Sequence, residues 1–114
     1  MNVVPDEFVR VMPDELRRFV RRLFEKVDAP RHQATLMADL LVGTDLRGVF
    51  SHGTQRSGRY LQLLCDRELN PKPEVRVERE TPTTAVIDGD GGLGHLAAWQ
   101  GARLAVEKAK ATGL

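Results

Sequence analysis

Four side chains with chemistry to offer fall within ten residues: Ser51, His52, Arg56 and Tyr60. They supply a hydroxyl, an imidazole, a guanidinium and a phenol, and Gly48 and Gly53 bracket the Ser-His pair. An imidazole titrates near neutral pH, so it can give and recover a proton. A guanidinium matches a carboxylate with a planar fork of donors. Together they suit holding a carboxylate and moving a proton beside it. His52 is expected as acid/base, with Ser51 orienting it or a substrate oxygen, Arg56 clamping the carboxylate and Tyr60 adding a hydrogen bond one turn further on.

The segment lies between two apolar-periodic stretches, as a turn and first helical turn would. A helix beginning near His52 puts Ser51 and His52 at its N-terminus, where free N–H groups and the dipole favour an anion. Arg56 and Tyr60 then follow at successive i+4 steps on the same face. Each residue also has a purely structural reading. Ser51 can be an N-cap, His52 a hydrogen-bonded loop residue, and Arg56 an ion-pair partner of Asp45 or Asp66. A Ser-His hydrolase fits poorly, since adjacent residues rarely face each other as nucleophile and base, and no G-x-S-x-G elbow is present.

The run Asp45-Leu46-Arg47-Gly48-Val49-Phe50-Ser51-His52-Gly53, with Arg56 and Tyr60, resembles a segment of the type 2 malate/L-lactate dehydrogenases. Phe50 stands where many members carry Asp or another polar residue. The likeness continues through Leu69-Asn70-Pro71, Glu80-Thr81-Pro82, Asp88-Gly89-Asp90 and Gly92-Leu93-Gly94, nearly the whole chain. These are NAD(P)-dependent 2-hydroxyacid and imino-acid oxidoreductases without a standard Rossmann domain. The resemblance implies an α+β fold: about three N-terminal helices, a β-hairpin and a further helix. It implies that residues 1–114 form the N-terminal part of such an enzyme, with the cofactor-binding portion outside them. It also implies NAD or NADP as cofactor, a small 2-oxo or 2-hydroxy acid as substrate, and a homodimer. The cofactor-binding residues are not identified. An Asp partner for the imidazole, and in some members a second acid in an Asn-His-Phe-Gly motif, fall beyond this sequence. The isolated chain is therefore expected to be inactive. Malate, lactate, sulfolactate, ureidoglycolate and cyclic imines all suit an arginine clamp with a proton donor. The alternative, from another class, is a non-catalytic fragment or helical dimerisation module.

Composition bounds the rest. A formal net charge of +1 gives no ground for nucleic-acid or membrane attraction. No apolar run is long enough for a membrane span, and the N-terminus has no signal-peptide core. Cys65 is the one cysteine, so no internal disulfide forms, which fits a reducing cytoplasm, and it reads as a small buried hydrophobe. No metal-ligand spacing occurs.

The elements that must position the site follow from periodicity. Residues 1–5 are expected to fray. Phe8, Val9, Val11 and Met12 suggest a short strand. Pro13 opens a helix whose stripe is Leu16, Phe19, Val20, Leu23, Phe24 and Val27. Arg17, Arg18, Arg21 and Arg22 make its solvated face. Asp28-Ala29-Pro30 starts a second helix through Ala34, Met37, Ala38 and Leu41, which Gly48 stops. A third spans Thr54 to about Glu68, burying Tyr60, Leu61, Leu64 and Cys65. His32 reads as exposed. Val75 and Val77 alternate with charged residues as a half-buried strand, and Thr84–Ile87 forms a more buried one, antiparallel to it. The last helix runs from about His95 to Ala111, with Gly113 as its cap and an Ala/Gly side for close packing against an absent partner. Gly89-Asp90-Gly91-Gly92-Leu93-Gly94 satisfies G-x-G-x-x-G. A hairpin-paired strand before it, and Asp88 and Asp90 within it, favour a plain turn over a dinucleotide site.

Overall fold

The computed structural model describes residues 6–113, so the expected fraying of residues 1–5 lies outside the described residues. The fold is α+β, with helices first and a two-stranded antiparallel sheet late in the chain. It divides into a unit ending at Glu68 and a second beginning at Leu69.

The first unit holds α1 (Pro13–Lys26), α2 (Arg31–Leu46) and α3 (Ser57–Cys65). Pro13 sits at the first turn of α1, where its missing N–H removes no helical bond, and Asp14 and Glu15 complement that end of the dipole. The apolar stripe buries Val20 and Phe24, while Phe19 at its margin stays 58% exposed. Three arginines of the basic face pair with acidic neighbours along the surface. Arg17 pairs with Asp14 and Asp39, Arg18 with Glu15, and Arg21 with Glu25. Against α1 packs α2, through buried Ala34, Met37, Ala38, Leu41 and Val42. Its chain leaves the helix at Gly48, whose φ of +76° is the left-handed conformation a helix stop favours.

Three expectations change here. Phe8 to Met12 form no strand, and Phe8, Val9, Val11 and Met12 are exposed, for no described strand runs beside them to pair their backbone. The third helix is shorter than its apolar spacing suggests: Thr54–Arg56 is a separate 3-10 turn. Leu64 is buried, Tyr60 and Leu61 are half-buried, and Cys65 is exposed at the last turn of α3.

The second unit is a hairpin and one helix. Strands β1 (Arg76–Glu80) and β2 (Ala85–Asp88) pair Arg76 with Asp88 and Glu80 with Ala85, with a register irregularity between Val77 and Arg79. Every residue of β1 is exposed, Val77 included, so the expected half-burial belongs only to Val75, just before the strand. Helix α4 (Gly94–Thr112) ends at Gly113, φ +76°, whose N–H bonds to the Ala109 carbonyl. Its small residues have a partner within the unit. A Cβ on Gly101 would meet Ile87 Cδ1 at 3.3 Å, and one on Gly89 would meet Ala97 Cβ at 3.3 Å. That face therefore packs partly on β2, while Ala98, Ala102 and Ala105 stay exposed.

Candidate functional site

The loop between α2 and α3 carries the Ser-His-Arg cluster on two 3-10 turns, Phe50–His52 and Thr54–Arg56, joined at Gly53. Gly53 has φ −94° and ψ −144°, outside the helical region, so the helix does not start at His52. The expected i+4 ladder from His52 is broken at this joint, and Ser51 and His52 do not occupy a helix N-terminus. The Arg56–Tyr60 step survives, because Arg56 is helical in conformation and caps α3, in which half-buried Tyr60 lies.

Other bonds gather the cluster. Ser51 Oγ and His52 Nδ1 are 2.9 Å apart. Arg56 Nε donates to the Ser51 carbonyl at 3.0 Å. Ser51 is thus held by both partners, its side chain by the imidazole and its main chain by the guanidinium. Bonding at Nδ1 points Nε2 of His52 away from the serine, and the ring is exposed. No carboxylate among the described residues forms an ion pair with Arg56, neither Asp45 nor Asp66. Its terminal nitrogens remain open to an external anion. Ser51 lies within the first 3-10 turn and is not the N-cap residue of that turn, of the second or of α3.

Residues outside the expected set complete the loop. Asp45, in the last turn of α2, accepts the Thr54 N–H on both carboxylate oxygens at 3.2 and 3.1 Å, and also accepts the Thr54 hydroxyl. Gly53 is buried beneath it: a Cβ there would fall on the Asp45 carboxylate and lie 3.1 Å from the Leu41 carbonyl. The sequence signal for this arrangement is an acid at a helix C-terminus, where the dipole disfavours it, followed by a Gly-Thr pair. Nearby, Ser57 Oγ is buried and has no hydrogen-bond partner among the described residues.

The glycine-rich turn is built as a turn. Gly91 has φ +65° and Asp90 φ +49°. The Asp90 carboxylate accepts from Asn70 Nδ2 and the Glu74 N–H, and its N–H donates to Asp88. A Cβ on Gly92 would strike the Pro73 ring. Among the described residues, the preceding strand pairs only in the hairpin. That backbone N–H, backed by Arg76, holds the Asp88 carboxyl below the usual range. Carboxylates in this position repel a pyrophosphate, which favours a structural turn over a dinucleotide cradle. The described residues contain no group of three or more His, Cys, Asp or Glu able to hold a metal, and none of their helices is long and apolar enough to cross a membrane.

The sequence model for malate/L-lactate dehydrogenase matches residues 11–114. Malate dehydrogenase of Pyrococcus horikoshii is 43% identical over 111 residues, which are 97% of this chain and 31% of that protein. A solved structure of malate dehydrogenase from the same organism superposes with a TM-score of 0.90 at 42% identity, covering 99% of this chain and 32% of the other. L-sulfolactate dehydrogenase of Methanocaldococcus jannaschii is 37% identical over 102 residues, 90% of this chain and 30% of that protein. The chain thus spans about three-tenths of the length of these relatives.

Proposed function

The chain belongs to the malate/L-lactate dehydrogenase family, and we propose that it supplies the proton-transfer and carboxylate-binding segment of a 2-hydroxyacid oxidoreductase. The observation that carries this reading is the convergence of His52 and Arg56 on Ser51, by 2.9 and 3.0 Å contacts, with no acid paired to the guanidinium among the described residues.

NAD or NADP, when bound, supplies or takes the hydride. The work of this chain's own residues is confined to carboxylate and proton. Arg56 keeps Nε on the Ser51 carbonyl and presents its terminal nitrogens to the substrate carboxylate. With the carboxylate held there, the 2-oxo oxygen is brought to His52 Nε2. In reduction the protonated imidazole donates Nδ1–H to Ser51 Oγ and delivers its Nε2 proton to that oxygen as the carbonyl becomes an alcohol. In oxidation the neutral ring, still donating from Nδ1, accepts the hydroxyl proton at Nε2. The serine hydroxyl can accept in both states, so one contact holds the ring through the cycle. Tyr60, one turn along from Arg56, adds a hydrogen bond to the substrate. The active form is a homodimer of the complete enzyme acting in the cytoplasm, and malate and L-lactate are its leading substrates.

The test is a titration of the chain with pyruvate, followed by ¹H–¹⁵N NMR of the arginine side chains. The Arg56 Nε–H and the His52 ring signals are expected to shift together and saturate, and Arg56→Gln is expected to abolish the response. Equal shifts with sodium chloride at matched ionic strength, or an unchanged response in Arg56→Gln, would contradict the reading.

A further inference from the structure

We propose that Asp45 is a positioning residue that fixes the distance between the proton donor and the carboxylate clamp by locking the joint at Gly53. The inference rests on the roles given above to His52 and Arg56.

Its first support is electrostatic. Asp45 lies in the last turn of α2, which contains no basic residue. A carboxylate there faces the negative end of the helix dipole, so helix stability does not explain it. Its side chain instead crosses nine positions of sequence to Thr54, whose N–H and hydroxyl both donate to it. Charge-assisted bonds of this kind are the stronger sort and offset the unfavourable placement. Meanwhile its main-chain carbonyl accepts the Gly48 N–H at 2.8 Å, closing the helix in the ordinary way. The side chain therefore serves the loop and not the helix.

The second support is steric. Gly53 is the joint between the turn carrying His52 and the turn carrying Arg56. Its N–H closes the first turn on the Phe50 carbonyl at 3.1 Å, and its carbonyl opens the second by accepting the Arg56 N–H at 3.0 Å. The Asp45 carboxylate occupies the space a side chain on Gly53 would need. One carboxylate thus holds Thr54 by hydrogen bonds and Gly53 by contact, and both turns pivot on those residues. With the joint released, Arg56 Nε loses its fixed relation to the Ser51 carbonyl.

The experiment uses the chain in parent form and as Asp45→Ala, Thr54→Val and Thr54→Ser. The readout is the water-exchange rate of the Arg56 Nε–H, with pyruvate affinity measured beside it. Thr54→Val keeps the shape and removes a donor, so it stays informative should Asp45→Ala fail to fold. In folded Asp45→Ala and Thr54→Val, exchange is expected to quicken by about tenfold, the order of factor that one net hydrogen bond supplies. Pyruvate affinity is expected to fall by a similar factor, and Thr54→Ser to retain both parent values. Variants that melt earlier yet keep the parent exchange rate would overturn the proposal and leave Asp45 a purely structural residue. If Arg56→Gln bound pyruvate as the parent does, the carboxylate-clamp reading would fall, while the exchange rate would still decide the role of Asp45.

Discussion

His52 and Arg56 are joined through a third residue, since both bond to Ser51, one at its hydroxyl and the other at its carbonyl. That makes their geometry a property of the loop backbone, and the glycines of the loop and α3 report on it separately. Gly53→Ala places a methyl group on the Asp45 carboxylate and close to the Leu41 carbonyl, so the Asp45–Thr54 contact must open. The expected cost is about 1–3 kcal/mol, in the range of overpacking at a site that cannot yield. Gly58, inside α3, has open space around its would-be Cβ and no left-handed φ. Gly58→Ala is therefore expected to stabilise by about 0.5–1 kcal/mol, the difference in helix propensity. Urea unfolding of the two variants checks the opposite signs.

Among the elements, the glycine-rich turn before α4 separates conformational need from motif. Gly91 is left-handed at φ +65°, whereas Gly94 opens α4 with no left-handed φ and open space at its Cβ. Gly91→Ala is expected to cost about 1–2 kcal/mol of strain, and Gly94→Ala to be neutral or mildly stabilising, read as opposite shifts in melting temperature. A sequence reading that treats both as turn glycines cannot tell them apart, because φ is set by the hydrogen bonds Asp90 makes to Asn70 and Glu74. The same limit explains the loop. Helices α1 and α2 were legible, since Pro13, the Val20–Phe24 stripe and Gly48 act over one or two turns. That Ser51, His52 and Arg56 lie close together was legible from type and spacing. Their arrangement was not: the break at Gly53 depends on Asp45, whose contact with Thr54 spans nine residues. The strand expected at Phe8–Met12 fails for a related reason, because alternation marks a strand only where another strand pairs with it. Cys65 is exposed because α3 ends there, and the helix was expected to continue to Glu68.

On the scale of the molecule, the chain is two units matched along nearly their whole length by about three-tenths of longer dehydrogenases. Its pH dependence should carry a mark of the second unit. Burial pushes the His95 imidazole below its usual value of 6.5. The unfolded chain then takes up that proton first as pH falls. The associated stability is complete above the unfolded value and is lost as pH drops through it toward the lower folded value. His95→Gln is expected to shrink the fall in urea midpoint between about pH 7.5 and about pH 5.5, the interval in which an unperturbed histidine charges. An equal fall in parent and variant would remove His95 from the account. The central claim is that this chain brings the proton donor of a 2-oxo acid reductase. It is tested most directly by grafting residues 11–114, the span the family model matches, onto Pyrococcus horikoshii malate dehydrogenase in place of its corresponding segment. Oxaloacetate-dependent NADH or NADPH oxidation is then measured with and without His52→Ala. The expected result is an active chimera in which the substitution lowers turnover by about 10²–10⁴, the loss typical of a missing acid/base, while its melting temperature is unchanged. An active chimera whose turnover is the same with alanine at position 52 would contradict the claim.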